Sequence, residues 1–157
     1  MQYVTHRRAD GQFQLLASHL NGVSDRAAEF ARAFRAEEHA RRIGKLHDIG
    51  KYSVKGQRRQ IDPEHTSKVD HATAGAQKAW DMRDLVAAFA IAGHHTGLPD
   101  AGSRVAPQEG TLQARIRKEL SGDDDPSAWR QEVEADEKGV YPDAALRKNP
   151  YSVSFYI

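Results

Sequence analysis

Residues 36–51 read AEEHARRIGKLHDIGK. Ala36, Ala40, Ile43, Leu46 and Ile49 recur at spacings of three and four, the period that places side chains on one face of an α-helix. The pattern predicts a helix over 36–50, with Gly50 as its C-terminal cap. His47 and Asp48 lie between Leu46 and Ile49, where burial is expected. A buried carboxylate must be paired, hydrogen-bonded or bound to metal.

The segments around this stretch are also helical in pattern. Over 13–34, Leu16, Leu20, Val23, Ala27, Phe30 and Phe34 share one face, and His19 borders it. Lys55 to Ser67 is polar, contains Pro63 and has no periodicity, so it reads as a loop. A third helix is expected from residue 68 or 69 through Ala72, Gly75, Ala76, Ala79 and Trp80, with His71 at its head. Asp84 to His94 is apolar nearly all round, which predicts a central helix with His94 and His95 at its buried end. Beyond it a short basic helix over Thr111–Leu120 and another over Ser127–Lys138 are expected. A loop (139–150) and an apolar aromatic stretch (151–157) follow. The reading is all-α: one compact domain, 1–157, built as a bundle of six or seven helices.

Composition narrows the function classes. A hydrophobic fraction of 39% and a charged fraction of 29% suit a globular chain rather than a disordered one. No apolar run approaches the ~20 residues that span a bilayer, and the first ten residues lack the apolar core of a signal peptide. The absence of cysteine excludes a disulfide scaffold and fits a cytoplasmic location. The net charge of +1 hides an asymmetry: residues 1–120 carry 19 Lys and Arg against 14 Asp and Glu, whereas 121–157 carry 4 against 8. A basic body favours a polyanion, although an ordinary solvated surface gives the same count.

The chemistry lies in the histidines. One histidine on a helix is usually a surface or satisfied core residue, and His6, His39 and His65, in polar segments, are read that way. His19, His47, His71, His94 and His95 differ in lying in or beside apolar helical patterns together with Asp48. Two adjacent histidines closing the most apolar helix have no packing reason to be there. Imidazoles and carboxylates suit Mn, Fe, Co, Ni or Zn. Five imidazoles and a carboxylate exceed what one ion takes from protein, so two divalent ions are expected, with Asp48 bridging them. Two ions point to phosphate ester chemistry.

Four segments together resemble one known family. They are Ser-His-Leu at 18–20, Leu-His-Asp-Ile-Gly-Lys-Tyr-Ser at 46–53, Asp-His-Ala-Thr-Ala-Gly-Ala at 70–76 and Ile-Ala-Gly-His-His-Thr-Gly-Leu-Pro-Asp at 91–100. The pattern is similar to the HD phosphohydrolase superfamily, in the branch formed by the HD nuclease domain of the CRISPR-associated nuclease-helicase of type I systems. The resemblance runs from about residue 3 to residue 100 and weakly onward. It implies a metal-dependent nuclease acting on single-stranded DNA, beside or fused to a superfamily-two helicase and recruited by a crRNA-guided surveillance complex. It implies metal ligation by His19, His47, Asp48, His71, His94 and His95, and catalytic roles for Asp48 and for Lys51 as a cation. An HD phosphohydrolase acting on nucleotides, or a fragment keeping the fold with partial metal binding, are the alternatives. An open basic groove would favour the strand over the nucleotide, and Lys55, Arg58 and Arg59 suggest one. The family also supplies a further aspartate beyond an aromatic stretch like 154–157. The sequence ends before that point, so the resemblance implies a weakened first metal position and low activity. Gly56-Gln57 stands where Phe-Gln is usual, and Ala72 where Ser is common.

Overall fold

The computed structural model describes residues 2–135. Among them are six α-helices: α1 Leu16–Ala31, α2 Glu37–Leu46, α3 Val54–Ile61, α4 Ala72–Asp81, α5 Leu85–Gly93 and α6 Leu112–Arg117. The all-α expectation holds, with one addition. An antiparallel hairpin, β1 Val4–Arg7 and β2 Phe13–Leu15, precedes the bundle. Residues 13–15 are therefore strand rather than the first turn of a helix. Leu15 is extended (φ −64°, ψ 136°), and α1 starts after it.

The core is formed by Leu16 and Leu20 of α1, Leu46 of α2, Ala76 and Ala79 of α4, and Ala87, Ala88 and Ile91 of α5. The chain enters three of the helices through side-chain caps. Ser53 accepts from Gly56 N, Asp84 from Ala87 N and Thr111 from Ala114 N, each satisfying a first-turn amide that the helix leaves without a partner.

Several expectations shift. The buried residues of α1 are Leu16, Leu20, Ser24, Ala28 and Ala31, so the core face is rotated away from the Val23–Ala27–Phe30 stripe, and Phe30 is 71% exposed. Residues 55–61, expected as loop, belong to α3, whose buried residues are Gly56 and Gln57. A helix that packs through a glycine and an amide shows no apolar period. α2 stops at Leu46, and the segment expected to run helically to residue 50 instead tightens into a 3₁₀ turn, Ile49–Tyr52. α4 begins at Ala72 rather than 68 or 69, and Ser127–Gln131 is a short 3₁₀ turn in place of a longer helix. Residues 136–157, including Asp136, Asp143 and the aromatic stretch, lie outside the described residues.

His39 is a further correction. It is 1% exposed, and its Nε2 lies 2.8 Å from Asp84 Oδ2. It joins α2 to the N-terminal cap of α5 from a polar-looking segment, because Asp84 supplies a buried partner 45 residues away.

Candidate metal centre

The centre is built by a change of helical pitch. α2 makes its last bond from His47 N to Ile43 O, Asp48 leaves the helical region (φ −118°, ψ 14°), and Lys51 N then bonds Asp48 O in the 3₁₀ turn. Asp48 is thereby 2% exposed. The head of α4 is pressed against this turn. A Cβ on Gly50 would lie 2.2 Å from the His71 carbonyl oxygen, and one on Gly75 would lie 2.1 Å from the Leu46 carbonyl oxygen. Both positions need hydrogen in place of a side chain, and this close approach sets His71 over Asp48.

Around Asp48 the expected ligands converge. His19 Nε2 and His47 Nε2 are each 3.3 Å from Oδ2. His71 Nε2 is 3.3 Å and His94 Nε2 3.4 Å from Oδ1. His95 packs its ring on His94 (centroids 4.0 Å apart) and on His71 (4.9 Å). His95 itself is exposed rather than at a buried end. Two groups result, each with ligand atoms mutually within 4.8 Å: His19, His47 and Asp48, and Asp48, His71, His94 and His95. Asp48 belongs to both, one oxygen facing each.

The orientation of the rings is fixed from behind. Nδ1 of His47 bonds the Gly44 carbonyl (2.7 Å), Nδ1 of His71 that of Val69 (3.2 Å), and Nδ1 of His94 that of Ile91 (2.6 Å). A carbonyl only accepts, so each Nδ1 carries the proton and each Nε2 presents a lone pair to the carboxylate. His19 Nε2, His71 Nε2, His94 Nε2 and Asp48 Oδ1 are buried without a hydrogen-bond partner. Of these, His71 Nε2, His94 Nε2 and Asp48 Oδ1 are acceptors facing one another, each destabilising by about 1–3 kcal/mol. The donor set therefore fits divalent cations, which turn the mutual repulsion into coordination.

The charges agree. Burial pulls the His71 imidazole down to about 4, which keeps it neutral and able to ligate. The Lys51 ammonium, 4% exposed, sits 2.6 Å from Asp48 Oδ2 and 3.3 Å from Thr5 Oγ1. It faces the carboxylate directly, on the same oxygen as His19 and His47.

Sequence reasoning missed the supporting residues. Thr5 is buried on β1 against Lys51, and Gln57 receives Val4 N and donates to the carbonyls of Val4 and Lys51. His6, read as a surface residue, packs its ring edge-on against His19 with centroids 4.9 Å apart. The strand that carries Thr5 and His6 is four residues long with one buried position, too short to distinguish from a turn. The expected cations behave differently: Lys55 pairs with Asp124 and Arg58 with Asp123. Arg59 bonds the carbonyls of Pro63 and Thr66. These pairs fasten α3 to neighbouring chain instead of lining a groove.

Bundle, hairpin and shared carboxylate define a metal-binding helical domain. Residues 16–129 match the HD domain family, and the chain belongs to it. That family consists in general of metal-dependent hydrolases. No curated protein matches the chain.

Proposed function

We propose that this chain is the nuclease domain of a type I CRISPR interference system and hydrolyses phosphodiester bonds of single-stranded DNA. The observation that carries the reading is Asp48, whose two oxygens each face a separate set of imidazoles. Two divalent transition-metal ions there would supply Lewis acidity and a nucleophilic hydroxide at neutral pH. His19 and His47 would hold one ion, His71, His94 and His95 the other, and Asp48 would be shared. The backbone carbonyls behind His47, His71 and His94 keep the ligating nitrogens aimed inward throughout. Lys51, beside Asp48, would place a positive charge next to the scissile phosphate and steady its oxygens. The resemblance in the four motif segments supports DNA as the polymer. It also supports a superfamily-two helicase and a crRNA-guided complex as the partners that deliver one strand.

The test is metal content and turnover on one preparation. The chain loaded with Mn, Co, Ni or Zn should cleave a labelled single-stranded oligonucleotide slowly, as the three-ligand His19/His47/Asp48 position implies, leave the duplex intact, and lose both metal and activity on Asp48→Ala. Hydrolysis of mononucleotides or cyclic nucleotides with no action on the oligonucleotide would refute the nuclease reading in favour of a nucleotide phosphohydrolase.

A further inference from the structure

A groove of about 480 Å³ opens directly beside the metal ligand His19. It is lined along α1 by Gly22, Arg26, Ala27 and Phe30, with Gln14 of β2 at its edge. We propose that this groove seats the stretch of single strand next to the scissile phosphate, with Phe30 as a platform for a base and Arg26 as a contact for a backbone phosphate. The inference rests on the nuclease reading above and names where its substrate lies.

Three observations carry it. First, α1 has two apolar stripes and the core uses one. Leu16, Leu20, Ala28 and Ala31 are buried, whereas Phe30 is 71% exposed at the far end of the stripe that starts beside His19. Second, Gly22 sits on the groove floor where a Cβ would meet nothing within 4 Å. Packing therefore gives no reason for a glycine in mid-helix, and its bareness leaves the floor open. Third, the chemistry is mixed in the way single strands require: a cation for phosphate and an aromatic face for a base, in line with a hydrolytic centre. From His19 to Phe30 the helix rises about 16 Å, room for a short run of nucleotides leading to the metals. A protein seated here would instead cover His19, one of the residues around Asp48. The cations first expected to guide a strand, Lys55 and Arg58, are paired with Asp124 and Asp123, so Arg26 takes that place.

The test is binding of a fluorescein-labelled oligothymidylate to the metal-free full chain in chelator, read by anisotropy across a salt series. Phe30→Ala should weaken binding about tenfold, within the range that stacking one base supplies. Phe30→Trp should retain binding, and Arg26→Ala should lower the salt slope by about one contact. Ile61→Ala, an exposed apolar residue on α3, is the control and should bind as the unaltered chain does. Irradiation of a 5-iodouracil oligonucleotide should attach it to α1. Equal binding by Phe30→Ala and the unaltered chain, or equal weakening by Phe30→Ala and Ile61→Ala, would overturn the groove while leaving the nuclease reading standing. A Phe30→Ala change that alters self-association in gel filtration but not anisotropy would assign the groove to a protein. An unaltered chain that neither binds nor cleaves the oligonucleotide would overturn the nuclease reading itself.

Discussion

Gly50→Ala tests how the centre is assembled. The added Cβ would lie 2.2 Å from the His71 carbonyl oxygen and 2.7 Å from its Cα and carbonyl carbon. Ordinary contact begins at 3.4 Å, so the two backbones must separate by 3.4 − 2.2 = 1.2 Å. Metal–ligand distances tolerate about 0.2 Å. A displacement several times that size takes His71 out of the group it forms with Asp48, His94 and His95. Overpacking of this kind is destabilising by about 1–3 kcal/mol, and each kcal/mol lowers the melting temperature by about 2–4 °C in a domain of this size. The assay is elemental analysis of metal per chain after equilibration with Mn or Zn, beside thermal unfolding of the metal-free protein. The variant should remain folded, melt several degrees lower and lose the ion held by His71. Full metal content at unaltered affinity would refute the reasoning, because it would show that the approach of Gly50 to His71 does not set the ligand geometry.

Four further outcomes follow from the same geometry. The Asp48/His71/His94/His95 position should fill at lower metal concentration than His19/His47/Asp48. The first has four described ligands against three, and Lys51 already occupies the oxygen facing the second; stepwise calorimetric titration checks the order. Lys51→Ala should slow cleavage while leaving metal content intact, measured on one preparation; parallel loss of both would make Lys51 a structural cation. Asp84→Ala removes the buried anion beside His39 and Arg42 as well as the α5 cap, and should cost about 3–5 kcal/mol in urea unfolding. Asp70 is held below the carboxylate range because its bonds from Thr73, with help from Lys118 and Arg115, outweigh the effect of burial. A carboxyl with a lowered folded pKa contributes stability above its unfolded pKa and loses it as the pH falls through the folded value. Unfolding curves of Asp70→Asn and the unaltered chain should therefore differ at neutral pH and converge in acid.

The histidines that converge on Asp48 were legible in the sequence because each lies in or beside a strong apolar helical pattern, which makes a polar interruption stand out. Asp48 between Leu46 and Ile49 is the clearest instance, and α5 the clearest helix. What was not legible depended on partners distant in sequence. α3 hides its buried side in Gly56 and Gln57, residues without hydrophobic signal. His39 looked solvated until Asp84 came to it from another helix. The core face of α1 could not be chosen from the sequence, since Val23, Ala27 and Phe30 form as good a stripe as the one that is buried through Ser24. The cations Lys55 and Arg58 were visible, but the aspartates that pair with them were not assignable without the turn at 122–124.

The hairpin bears on how a minimal fragment should be cut. A chain trimmed to the family boundary at residue 16 would contain both candidate ligand groups, from His19 to His95, and the six described helices. It would still be incomplete. Gln57 would lose both its bonds to Val4, and the Lys51 ammonium would lose the Thr5 hydroxyl, leaving Asp48 as its described side-chain partner. The first few residues thus act on the carboxylate at second hand, and an affinity tag fused close to Val4 would press on the same stitch. The working unit begins with the strand, a dozen residues before the first recognisable helix.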